Sequence, residues 1–124
     1  MLKELQHDEA PELVQTWAHR LPSWVSVTEI AVTNARGLEK LQAGERAAIL
    51  LAEFKGAEII LLDEKAARRI ASDRGLRITG ILGLLGEAST RGLVDLPAAI
   101  DRLRKTNFRC SAALLKATLD RFGR

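Results

Sequence analysis

Residues 58–63, near the middle of the chain, place four consecutive aliphatic residues between two acids. A short apolar run of this kind is typical of a parallel strand that is buried on both faces of its sheet. A helical pattern ends just before it, at Gly56, and glycine is the usual residue where a helix stops. A second helical pattern follows over residues 64–73, and residues 77–79 predict another short strand. This order of helices and strands predicts βαβ units, so the fold class we expect is α/β, a parallel sheet covered by helices.

The rest of the chain adds helices and one further strand to this unit. The strongest helical pattern begins after Gly44 and carries Ala47, Leu50, Leu51 and Phe54 at helical spacing. Residues 24–30 are rich in β-branched and aromatic side chains that partly alternate, which predicts an edge strand. Further helices are predicted over residues 1–5, between 11 and 22, and over 81–90, 97–105 and 111–122.

Composition limits the class of protein. A chain of 124 residues suits one compact domain, and its net charge of +3 arises from basic residues mixed with nearly as many acids, so charge alone is no strong sign of nucleic-acid binding. The single cysteine, Cys110, cannot form an internal disulfide. No leader pattern is present, and no apolar run approaches the roughly 20 residues of a membrane span. We therefore expect a cytoplasmic protein without a membrane segment.

Carboxylates are expected to meet at one edge of the sheet. The helix that begins near Gly44 and the strand that ends at Asp63 run antiparallel and have similar lengths of about 16 Å. Glu45 should therefore lie near Asp63 and Glu64, at the edge where open α/β sheets place their sites. Such a group would suit Mg²⁺ or Mn²⁺. The alternative is structural, because acids are also favoured at helix starts and Asp63 could cap the helix after it.

Four segments carry a resemblance to a known family. These are LQAGERAAILLA (41–52), ILLDEKAARRIA (60–71), GLRITGILGLL (75–85), and the pair RGL (91–93) with NFR (107–109). In this order and spacing they resemble the C-terminal part of the PIN domain, in a branch described as nucleic-acid-binding. The resemblance extends from Glu4 to the end of the chain.

The resemblance implies a function and a set of site residues. PIN domains use acidic side chains to bind one or two divalent ions that activate water during RNA cleavage. Matched by position, the implied metal ligands are Glu4, Glu45, Asp63 and Glu64, of which the last three are the expected catalytic residues. Arg68 would contact phosphate. Among the other basic residues, we expect Arg109 to be a second RNA-binding residue. A toxin of a toxin–antitoxin pair, with an antitoxin protein as partner, is the related expectation.

The sequence departs from the family pattern in three places. The strand that ends in the family's first metal-binding Asp has no counterpart, Glu64 stands where an Asp is usual, and Ile81 stands where a Thr is common. Without its first strand the sheet has an unpaired edge, so we expect a homodimer or larger assembly that covers it. The alternatives are a catalytically inactive relative that binds nucleic acid or protein, and a natural protein that starts further upstream.

Other candidate residues have simpler interpretations. His7, His19 and Cys110 do not have the spacing of a zinc site, and Cys110 is expected to be a buried structural thiol. The glycines at 80, 83 and 86 are expected to serve close helix packing rather than a phosphate loop. Both tryptophans, Trp17 and Trp24, are expected to pack in a core or an interface.

Overall fold

The computed structural model describes residues 2–31 and 36–123. Within these residues it has seven helices and two strands, and the predicted α/β class is confirmed. The elements in chain order are α1 (Leu2–Gln6), α2 (Glu12–His19), α3 (Ala43–Lys55), β1 (Ile60–Leu61), α4 (Lys65–Asp73), β2 (Ile78–Thr79), α5 (Ile81–Thr90), α6 (Leu96–Arg104) and α7 (Ala112–Phe122).

The two strands are short and parallel. Ile60 lies beside Ile78, and Leu61 lies beside Thr79. The N–H of Leu62 donates a 2.9 Å hydrogen bond to the Thr79 carbonyl. Because α4 connects the strands as the crossover of a βαβ unit, both strands end at the same edge of the sheet. The residues that follow β1 and β2 therefore meet there.

Local sequence explains where the main helices begin and end. The Glu45 carboxylate accepts a 3.3 Å hydrogen bond from the Gln42 backbone N–H, which satisfies a donor at the start of α3. Gly56 ends α3 with a φ of 62°, as its position predicted. Asp95 and Ser111 cap α6 and α7 by accepting hydrogen bonds from the Ala98 and Leu114 backbone N–H groups, both at 3.1 Å. None of the described helices is long and apolar enough to cross a membrane.

The core has two clusters. The first joins α3, β1 and α4 through Ile49, Ile60 and Ala67, with Leu38 from the preceding loop. The second joins α5 and α6 through Leu82, Leu96 and Ile100, and partly buried residues of α7 pack on it. The sheet edge described above lies between elements of both clusters.

An ion pair fixes α4 against α3. The Arg74 guanidinium donates two hydrogen bonds to the Glu53 carboxylate, at 2.8 and 3.1 Å, and a third, of 3.1 Å, to the Arg36 carbonyl. The hydrogen bond to Glu53 raises the pKa of the Arg74 guanidinium. Bidentate geometry is the form in which Arg–carboxylate pairs are most ordered, so this contact adds to the apolar packing that joins α3, β1 and α4.

Two expectations about strands are wrong. Residues 25–31 have no regular secondary structure, and the Trp24 side chain is 80% exposed. A strand needs a neighbour for its backbone N–H and C=O groups, whereas in the described residues β1 and β2 pair only with each other. β1 is also not buried on both faces: Ile60 is buried, but Ile59 and Leu61 are about half exposed.

Candidate nucleic-acid interface

An open cleft of about 670 Å³ lies at the carboxyl ends of β1 and β2. Its volume is within the usual range for small-molecule and nucleotide sites, and its place in the fold is where open α/β sheets bind ligands. Its lining comes from the β1–α4 connection, from β2 and the start of α5, and from α7 and the loop before it.

Two adjacent carboxylates stand at the end of β1. The Asp63 Oδ1 atom accepts a 2.9 Å hydrogen bond from the Ile81 backbone N–H, the first of α5. Asp63 thus caps α5 rather than α4, the helix directly after it. Glu64 is the residue before α4, it is exposed, and it makes no capping hydrogen bond. Both carboxylates line the cleft.

Three guanidinium groups line the same cleft, those of Arg68, Arg109 and Arg121. Within the described residues, none of them belongs to an ion pair. A Cβ atom at Gly80 would lie 2.9 Å from Asp63 Oδ1 and 3.6 Å from Arg68 Nη1, so both side chains lie over this glycine. Because Gly80 has no side chain, there is room for the acidic and basic groups to lie close together.

Arg121 was not expected as a site residue, although its spacing offered a signal. Five residues of α7 line the cleft. Leu114, Ala117, Thr118 and Arg121 follow the i, i+3, i+4, i+7 pattern of one helical face, and Phe122 is the fifth. In the sequence this face looks like an ordinary amphipathic surface, and only the folded structure shows that it lines the same cleft as Arg68.

The other two predicted acids lie elsewhere. Glu45 is not among the cleft residues, and its carboxylate accepts the hydrogen bond from Gln42 instead. Glu4 is exposed on α1, a helix that mainly contacts α2. The part of the chain that the structure describes has no group of three His, Cys, Asp or Glu side chains able to hold a metal ion. The structure therefore brings Asp63, Glu64, Arg68 and Arg109 together, and does not bring Glu4 and Glu45 to them.

The cleft carboxylates fit only part of a metal shell. The Asp63 Oδ2 atom takes no part in the hydrogen bond with α5, and the Glu64 carboxylate makes no capping hydrogen bond. Mg²⁺ retains several waters and is commonly bound by one or two carboxylates together with substrate phosphates. An ion held by Asp63 and Glu64 would therefore take its remaining ligands from water and from a bound phosphate.

Gly83 and Gly86 serve helix packing, as expected, whereas Gly80 precedes α5 and lies in the cleft beside Asp63 and Arg68. A Cβ atom at Gly83 would lie 2.5 Å from the Thr79 hydroxyl oxygen, and one at Gly86 would overlap the Phe122 ring of α7. Cys110 is half-buried in the cleft wall. Trp17 and Trp24 are 45% and 80% exposed, so they are not part of the core, and their packing in an interface stays a prediction.

Comparison with known proteins gives one match. A family model described as the PIN domain matches residues 1–124. No curated protein and no solved structure matches the chain significantly.

Proposed function

Since the chain belongs to the PIN-domain family, we propose that it is a cytoplasmic, divalent-metal-dependent ribonuclease, folded as a single PIN-like domain over residues 1–124. The observation that carries the proposal is the cleft at the carboxyl edge of the sheet, where Asp63 and Glu64 lie beside Arg68. Carboxylates can bind a metal ion, and guanidinium groups that make no ion pair can bind phosphate. Their neighbourhood therefore suits a phosphate ligand that also coordinates the metal ion.

Each cleft residue has a role in this proposal. Asp63 and Glu64 would hold Mg²⁺ or Mn²⁺, and Arg68 and Arg109 would bind RNA phosphate. When bound, such an ion supplies an activated water and stabilises charge on the phosphate. The family resemblance also implies Glu4 and Glu45 as metal ligands. Because they lie outside the cleft, we assign metal binding first to Asp63 and Glu64.

A calorimetric Mn²⁺ titration tests the metal site. We expect the Asp63→Asn, Glu64→Gln double variant to bind Mn²⁺ at least about 10-fold more weakly than the intact chain, because it loses both charged ligands. The matched control is the Glu58→Gln, Asp101→Asn variant, which removes two exposed acids outside the cleft. Equal binding by the intact chain and both variants would place the ion elsewhere.

One observation favours a second candidate function, a nucleic-acid or protein-binding module without cleavage. The described residues contain no three-residue metal group, and one oxygen of Asp63 is occupied by the contact with α5. The guanidinium groups of the cleft need no metal to bind phosphate. RNA binding in EDTA without RNA cleavage in Mn²⁺ would identify the protein as such a module.

We further propose that the protein is the toxin of a toxin–antitoxin pair and binds an antitoxin protein. We also propose that it forms a homodimer or larger assembly. The half-exposed side chains of Leu61 in β1 and of Ile59 just before it support a partner at this face, because contiguous apolar surface beside an unpaired strand edge favours association. Light scattering at micromolar concentration is expected to give a mass of at least two chains, and a monomer would contradict the assembly.

A further inference from the structure

The lining of the cleft is chemically mixed. Its charged side chains include Asp63, Glu64 and Arg68, and its apolar side chains include Ile78, Phe108 and Leu114. Metal and phosphate chemistry uses only the charged side chains, so it gives no reason for an exposed apolar side chain such as Leu114 in the lining.

The apolar part of the lining is open to a ligand. The Leu114 side chain is 46% exposed although it lines the cleft, and Phe108 is only partly buried against the α5–α6 cluster. Water against these groups is replaced favourably by a flat apolar ligand, and an aromatic side chain adds a stacking surface. Asn107, the neighbour of Phe108 in the chain, also lines the cleft and supplies a donor and an acceptor.

We propose that the cleft binds one unstacked ribonucleotide, with its base against Phe108 and Leu114 and its phosphate at the guanidinium groups of Arg68 and Arg109. This inference rests on the proposed nucleic-acid function and names the residues that hold the base. Charge complementarity orients the ligand, because the cleft arginines make no ion pair within the described residues.

Binding of small ligands tests the inference without cleavage. We would titrate the full chain with uridine 5′-monophosphate, with adenosine 5′-monophosphate and with ribose 5-phosphate, in EDTA so that no metal site contributes. Ribose 5-phosphate carries the same sugar and phosphate but no base. We expect at least one nucleotide to bind about 5- to 150-fold more tightly than ribose 5-phosphate, the range that stacking of one base on a protein supplies.

A matched pair of variants locates the base. Leu114→Ala changes a residue that lines the cleft, and Leu84→Ala changes a leucine of α5 that is equally exposed, at 47%, but lies outside the cleft. Leu114→Ala is expected to lower the preference for nucleotide over ribose 5-phosphate about 3-fold or more, because it removes apolar contact area. Leu84→Ala should leave the preference unchanged. Both side chains are half exposed, so the variants should remain folded.

The outcomes separate this inference from the ribonuclease proposal. Equal binding of nucleotide and ribose 5-phosphate, no binding of either, or equal effects of the two variants would overturn the base site, whether or not RNA is cleaved. A base preference that Leu114→Ala reduces would support the inference even if the intact chain cleaves no RNA, in which case only the ribonuclease proposal fails.

Discussion

The Asp63→Asn, Glu64→Gln variant is expected to cleave RNA at least about 100-fold more slowly than the intact chain in saturating Mn²⁺. Removing one group that stabilises transition-state charge typically slows a reaction by this factor or more. Here both cleft carboxylates lose their charge. The measurement is the initial cleavage rate of a labelled single-stranded RNA, with equal protein concentrations.

The fold should survive this double substitution, so that the loss can be assigned to chemistry. Asparagine at position 63 keeps a side-chain oxygen that can accept the hydrogen bond from the Ile81 N–H. Glu64 makes no capping hydrogen bond, so glutamine there removes none. Circular dichroism and the urea midpoint should therefore match those of the intact chain. The Glu58→Gln, Asp101→Asn control should retain full cleavage. An unaltered cleavage rate in the Asp63→Asn, Glu64→Gln variant would contradict the assignment of these residues to metal binding and cleavage.

Gly86→Ala is expected to lower the free energy of unfolding by about 2 kcal/mol, which corresponds to a fall in Tm of roughly 10 °C. In a free helix the same substitution stabilises by about 1 kcal/mol, because alanine is the better helix former. In α5, however, the new methyl group would overlap the Phe122 ring and lie within 2.6 Å of its Cγ atom. The ring has to leave its place between α5 and α7, and their packing is lost.

A double-mutant cycle isolates this contact. Phe122→Ala alone should destabilise the protein, since the ring packs on the α5–α6 cluster. In the Phe122→Ala background, Gly86→Ala should be neutral or stabilising by up to about 1 kcal/mol, because the ring that the methyl group would overlap is gone. Thermal unfolding of the four proteins gives the coupling energy. A rise in Tm for Gly86→Ala in the intact background would contradict the close approach of the two helices.

Family membership and the βαβ arrangement could be predicted from the sequence because their signals are local. The run at residues 58–63, the glycine stop at Gly56 and the helical spacing over 81–90 each depend on neighbours a few residues away. Residues 24–30 show where local signals fail. Their β-branched pattern predicts a strand, yet a strand forms only beside a partner, and pattern alone does not supply one.

The site divides in the same way. The sequence alone determined that Asp63, Glu64 and Arg68 share a neighbourhood, because a strand end and the first turn of the next helix are adjacent in the chain. Only the tertiary structure decided that Arg109, Arg121 and one face of α7 line the same cleft, and that the Glu45 carboxylate accepts a hydrogen bond at its own helix start. Such groupings depend on how α5 and α7 pack, through contacts such as Gly86 with Phe122. Packing of distant segments is set by the shapes of side chains that meet only in the folded state, and no spacing in the sequence encodes it.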